Sequence, residues 1–253
     1  MNKNILRQIL VVLATLTTIV VNGLANALPI NNLGTGEISD MFEVFFVPAG
    51  YVFSIWGLIY LGLIAYSVYQ ALPAQRENLA LQKIGYIYVI SAVANIAWIF
   101  LWHYLVFPAT IFFMLAILVC LILIYLRLDI GRAKVSSVEK WTVHIPFSIY
   151  LGWITVATVA NFTSLLDYLS WGGWGISPAV WAVIMLAVAT IVGGLMSFTR
   201  RDVAYSLVLI WAFIGIAVKH AATPLVSTSA WIFTGLVAIL LVGGVVWKKK
   251  SNS

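Results

Sequence analysis

Asn95 and Asn161 are carboxamides set within long apolar stretches, and an amide in hydrocarbon is costly unless it finds a partner or a cavity. Each stands on a stripe of rings. Ser91, Asn95, Trp98 and Trp102 are spaced four, three and four apart, and Tyr150, Trp153, Ala157 and Asn161 three, four and four, with Thr158 beside them. Such offsets place each set on one face of a helix. A third stretch, Phe45 to Leu72, opens with Pro48-Ala49-Gly50 and carries Phe53, Trp56, Tyr60 and Ser67 at helical spacing without a charged side chain. Convergence of the three stripes would build a mostly apolar, ring-walled pocket with a few polar groups to orient a small molecule. The same residues also suit interhelical hydrogen bonds and ordinary bundle packing. Spacing alone does not separate the two uses.

Covalent chemistry finds less support. No carboxylate lies well inside a span, and no Ser-His-Asp or Cys-His set assembles within the core spans. The single cysteine, Cys120, sits in an apolar run, so there is neither a disulfide framework nor a cysteine-based metal site. His103 and His144 fall near opposite ends of their spans and cannot share a metal. His144 could serve as a haem axial ligand, although a bundle-bonded imidazole is the commoner use of such a residue.

The elements that must carry these stripes follow from composition. The chain of 253 residues is 63% hydrophobic and 9% charged, with mean hydropathy +1.05, whereas globular domains are roughly 45–50% apolar and about 25% charged. This defines an all-α, polytopic membrane protein. The net charge of +6 does not indicate nucleic acid, because the basic residues lie in short clusters between apolar spans.

Eight spans are expected: Ile9–Leu28, Phe45–Leu72, Lys83–Tyr104, Pro108–Leu126, Trp141–Leu165, Ser177–Phe198, Val203–His220 and Thr228–Trp247. With the N-terminus cytoplasmic, Lys3, Arg7, Arg76, Lys83, Arg127, Arg132, Lys134, Lys140, Arg200, Arg201 and Lys248 to Lys250 all fall on the cytoplasmic side, and only Lys219 does not. That segregation follows the positive-inside rule and puts both termini inside. Ala25-Asn26-Ala27 resembles a signal-cleavage site, but the charge segregation favours a retained first helix. Trp102, Trp141, Trp171, Trp174 and Trp247 sit at span ends and read as interfacial anchors. Pro29 to Glu43 is an acidic, turn-rich loop placed to cap whatever the second helix faces. Lys219 and His220 end the seventh span, where an anionic group could meet them, and Lys248 to Lys250 could touch anionic lipid.

The three stripes resemble the TspO/MBR family of tryptophan-rich sensory proteins, which includes the translocator protein or peripheral benzodiazepine receptor. Pro48, Val52, Phe53, Trp56 and Tyr60 keep the register of the family's second-helix signature. Asn95 and Trp98 match its Asn-x-x-Trp, and Tyr150, Trp153, Asn161 and Phe162 keep its fifth-helix offsets. Departures are Ala49 for the second proline, Tyr51 for a tryptophan, and Ile149 for the proline before Tyr150. The resemblance covers residues 1–168, a five-helix unit. Residues 169–253, three further helices and a basic tail, have no counterpart in that unit.

The resemblance implies a five-helix bundle whose pocket, lidded by the first loop, binds tetrapyrroles such as protoporphyrin or haem. The candidate ligand-binding residues are Tyr51, Phe53, Trp56, Tyr60, Asn95, Trp98, Tyr150, Trp153 and Asn161, with no metal and no required cofactor. A flat macrocycle suits ring walls, since aromatic pairs gain roughly 0.5–1.5 kcal/mol beyond burial. A receptor or sensor is the leading expectation. A transporter of a small hydrophobic solute and a porphyrin-modifying enzyme are the alternatives. The expected partners are the hydrophobic ligand, membrane lipid and, as family members commonly dimerise, a second copy unless the extra helices cover that surface. The expected location is a bacterial inner membrane.

Overall fold

The computed structural model describes residues 3–28 and 30–251, with side chains through Val246. No strand occurs among the described residues. The long helices are α1 (Lys3–Ala27), α3 (Ile55–Ala71), α4 (Leu79–His103), α5 (Phe107–Arg127), α7 (Ile145–Tyr168), α8 (Pro178–Leu195), α9 (Val203–Lys219) and α10 (Pro224–Ser251). Two short ones, α2 (Thr35–Ser39) and α6 (Ser137–Glu139), lie in the first loop and just before α7.

Helix starts follow local chemistry. The side chains of Asn78, Ser177 and Asp202 accept hydrogen bonds from amides of the first turns of α4, α8 and α9, filling the donors that every helix N-terminus leaves unpaired. Pro108 and Pro178 sit in first turns, where a missing N–H costs nothing, and Pro146 follows the π-helical turn Lys140–His144.

Among the described residues, seven helical segments are long and apolar enough to cross a membrane. The remaining expected span, the seventh, is α9, with 17 residues, about 25 Å of rise against a hydrocarbon core of about 30 Å. The second span begins later than the sequence suggests. Phe45 to Ala49 is irregular, Gly50–Ser54 is a tight 3-10 turn, and the α-helix starts at Ile55.

Five helices close a ring in which each packs on the next, in the order α1, α4, α5, α7, α3 and back to α1. α9 packs on the outside of α7, α10 on α9, and α8 on both, forming a layer beside the ring. α1 is bonded into the ring along its length. Gln8 donates to the carbonyl of Gln70 at 2.6 Å, the Thr15 hydroxyl lies 2.7 Å from that of Tyr88, and Asn22 reaches Asn95.

The basic residues gather at one end of the bundle. There Arg127 donates to the Lys83 carbonyl, Arg200 pairs with Asp129, and Arg132 donates to the Thr199 carbonyl. Lys248 to Lys250 and Trp247 lie outside the residues whose side chains are described.

Candidate functional site

The three aromatic stripes converge inside the ring. Phe53 from the 3-10 turn before α3, Trp56 from the start of α3, Asn95, Trp98 and Trp102 from α4, Met114 and Ile117 from α5, and the Trp153 to Ser164 face of α7 surround a cavity of about 50 Å³. Thr35 and Ser39 of α2 and Pro48 close it from the first loop, so this loop is a lid.

The walls are edge-on and stacked rings. Phe53 meets Trp153 at 5.6 Å and 81°, Trp56 meets Trp153 at 6.3 Å and 82°, and Trp98 stacks on Trp102 at 5.4 Å and 19°. Such contacts are the favoured geometries of aromatic quadrupoles.

Six of the nine sequence candidates line this cavity: Phe53, Trp56, Asn95, Trp98, Trp153 and Asn161. Tyr60 stands behind it, stacked on Trp56 at 5.5 Å and 24°. Tyr150 does likewise, edge-on to Trp56 at 5.9 Å. Tyr51 points elsewhere, against Trp211 of α9 at 5.5 Å.

Both amides are occupied by neighbouring helices. The Asn95 Oδ1 accepts from Asn22 Nδ2 of α1 at 2.8 Å, and its Nδ2 donates to the Tyr150 hydroxyl of α7 at 3.3 Å. Asn161 Oδ1 accepts from the Trp98 indole at 3.1 Å, while its Nδ2 donates to Thr110 of α5 at 2.9 Å. The amides therefore bond the ring together and form part of the pocket wall at once. One wall group differs. The indole nitrogen of Trp153 is buried and has no hydrogen-bond partner among the described residues, although a buried indole N–H usually finds one.

The lid is bonded to α4 at its inner side. Trp102 Nε1 donates to the Thr35 carbonyl at 3.2 Å. His103 Nδ1 lies 3.3 Å from the Ile30 carbonyl, which can only accept, so Nδ1–H donates there, and Nε2 lies 3.0 Å from the Thr35 hydroxyl. Trp102 is thus a buried wall and lid anchor, 4% exposed, not the interfacial ring expected from its place at a span end.

The outer side of the lid is bonded to α9. The Ala49 amide donates to the Gly215 carbonyl at 3.2 Å, Trp211 Nε1 to the Val52 carbonyl at 3.1 Å, and Lys219 pairs with Asp40. His220 Nε2 lies 3.3 Å from the Val47 carbonyl, and its ring meets Phe45 edge-on at 5.1 Å. Burial holds the His220 imidazole below its ordinary pKa, and Lys219 adds to this. The Val47 carbonyl and Asp40 oppose it. Gly215 permits the approach, since a Cβ there would stand 2.2 Å from Val52 Cγ2.

Asn22, Thr110 and Thr35 escaped the sequence reading. Asn22 carried the same signal as Asn95, an amide inside an apolar run. Thr35 gave none, because its role depends on how the lid folds back over α4.

A ring of membrane-length helices around an aromatic cavity closed by a loop defines a polytopic helical membrane protein. The chain matches the family model described as TSPO-like protein over residues 8–243, and it belongs to that family. The matched stretch continues past Tyr168 into α10. No curated protein and no solved structure matches the chain.

Proposed function

We propose that this protein binds a flat hydrophobic ligand, a tetrapyrrole such as protoporphyrin or haem, between the rings of α3, α4 and α7, and reports its presence as a membrane sensor. The observation that carries this reading is the unpartnered Trp153 indole in a wall made mostly of rings and aliphatic carbons, whose two amides are already bonded to neighbouring helices. An N–H kept dry and unpaired is a ready donor for an acceptor on a ligand.

The cavity of about 50 Å³ is far below the roughly 300–1,000 Å³ of typical ligand sites. Binding therefore requires Phe53, Trp56 and the lid to part from α4 and α7. On this reading residues 1–168 form the binding unit, and residues 169–253 set how easily the lid lifts, because α9 holds its outer side. The membrane is a bacterial inner membrane with the basic end of the bundle in the cytoplasm, as the Lys/Arg segregation favours.

The test is a titration of the detergent-purified protein with protoporphyrin IX, followed by the porphyrin absorbance so that tryptophan variants remain readable. Trp153→Phe keeps an aromatic ring, though a smaller one, and removes the donor, and should weaken saturable binding about 2- to 10-fold, the range of one hydrogen bond. Trp56→Leu should weaken it further. If the wild type does not saturate, or neither variant differs from it, the rings are packing and the reading fails.

A further inference from the structure

A second and larger space, about 640 Å³, lies outside the ring in the crevice between α3, the start of α7 and α9. Its walls are Leu58, Ile145, Ile149, Leu207, Val208 and Trp211. Leu58 and Leu207, 53% and 52% exposed, belong to the outer surface of the bundle, while Val208 is buried and forms the floor.

One end is different. Lys140 and Arg201 form it, at the basic end of the bundle, and among the described residues neither has an ion-pair partner. Asp202 also lines this end, but its carboxylate is spoken for. It accepts from the Tyr125 hydroxyl at 2.7 Å, from the Ser148 hydroxyl, and from the Tyr205 amide at 3.0 Å.

Both cations are set by irregular backbone. Lys140 opens a π-helical turn, Lys140–His144, that leads into α7. Arg201 ends the π-helical turn Met196–Arg200 in the left-handed region, φ 54° and ψ 38°, a conformation uncommon for a residue with a Cβ. The loop before α6 comes in close beside it, since a Cβ on Gly131 would stand 2.0 Å from the Arg200 carbonyl oxygen.

The length also fits. From Val203 to Trp211 α9 rises about 12 Å, near the roughly 15 Å depth of one leaflet. An apolar trench one leaflet deep, with two unpaired cations at its mouth, has the charge and shape of a phospholipid laid along the helices. We infer that this crevice binds one anionic phospholipid, its acyl chain along Ile149, Leu207 and Trp211 and its phosphate between Lys140 and Arg201. The guanidinium supplies two parallel donors to phosphate oxygens and the ammonium a point charge.

The experiment compares phosphatidylglycerol with phosphatidylcholine. Purified protein is equilibrated with mixed micelles of each lipid and exchanged into lipid-free detergent, and bound lipid is counted by native mass spectrometry. The wild type should retain about one phosphatidylglycerol with a preference on the order of tenfold over phosphatidylcholine. The double variant Lys140→Gln/Arg201→Gln should lose that preference. Lys83→Gln/Lys134→Gln, which removes the same charge from exposed positions at the same end, should keep it to within about twofold. Ala204→Phe, which fills the trench and leaves the cations, should reduce retention of both lipids.

Three outcomes would overturn the inference. One is equal retention of the two lipids by the wild type, and another is equal loss in the two charge-matched pairs. The third is a second copy of the chain cross-linked across Leu207 with no lipid retained.

Discussion

The Lys219 ammonium lies 2.5 Å from a carboxylate oxygen of Asp40, joining residues 179 positions apart. It ties the end of α9 to the lid over the aromatic cavity. The pair is partly exposed, with side chains 25% and 57% accessible, so on its own it contributes roughly 0–1 kcal/mol. The firmer part of the clamp is the close approach of Gly215 to Val52 and Pro48.

Gly215→Val should therefore displace the lid where Lys219→Ala barely disturbs it. The added side chain overpacks a tight contact, which costs about 1–3 kcal/mol. Thermal unfolding in detergent should show a clear loss for the first variant and a small one for the second. If the lid gates the cavity, porphyrin should also enter and leave Gly215→Val faster in stopped-flow traces. Equal stability of the two variants would mean that the lid does not rest on α9.

His220 gives the same clamp a pH dependence. Burial lowers its pKa from the ordinary value, so the folded protein favours the neutral imidazole more than the unfolded chain does. Its contribution is complete above the unfolded pKa of about 6.5 and is lost as pH falls through the lower folded value. The melting temperature should fall between pH 7.5 and pH 5, and His220→Gln should flatten that part of the curve. Identical slopes in the two proteins would remove His220 from the account.

The amide contact between Asn22 and Asn95 predicts coupling rather than simple additivity. Asn22→Leu and Asn95→Leu each leave the other amide short of a partner, while the double variant leaves neither. A double-mutant cycle on unfolding in mixed micelles should return about 0.6 kcal/mol, with an upper range near 1.7 kcal/mol for hydrogen bonds between membrane helices. A coupling indistinguishable from zero would show that the two amides act independently.

Much of the cavity was legible because Asn95, Trp98, Trp153 and Asn161 lie within regular helix, where a spacing of three and four fixes the face. Tyr51, in the 3-10 turn Gly50–Ser54, stands outside the cavity lining. Tyr51 came from the resemblance, not from spacing: two positions before Phe53, it would stand about 200° round even a regular helix, and the structure sets it against Trp211. Of the clamp, only the expectation that Lys219 and His220 could meet an anionic group was legible, not its partners. Trp211 reaches the Val52 carbonyl across 159 positions, and no local pattern encodes a contact that depends on α9 packing outside α7. Trp102 looked like an anchor because it ends a span, and only the fold of α2 over it shows that it is covered.

Arg7 and Gly85 carry the last prediction. Arg7 is 2% exposed, and its Nε and Nη1 have no hydrogen-bond partner among the described residues, while Nη2 donates to the Arg76 carbonyl at 3.2 Å. Its stem lies on Gly85, where a Cβ would stand 2.7 Å from both Cγ and Cδ. A buried cation left partly unpaired is a poor source of stability, and an apolar side chain of similar volume is often neutral or better. Arg7→Met should thus unfold no more easily than the wild type, even though it deletes a buried charge. Gly85→Ala should cost about 1–3 kcal/mol through overpacking against a stem that Arg76 holds in place. In the double variant the flexible methionine can yield to the new methyl group, so part of that loss should return. If Arg7→Met were strongly destabilised, the guanidinium would have partners that outweigh its desolvation, and the carbonyl of Arg76 alone would not account for them.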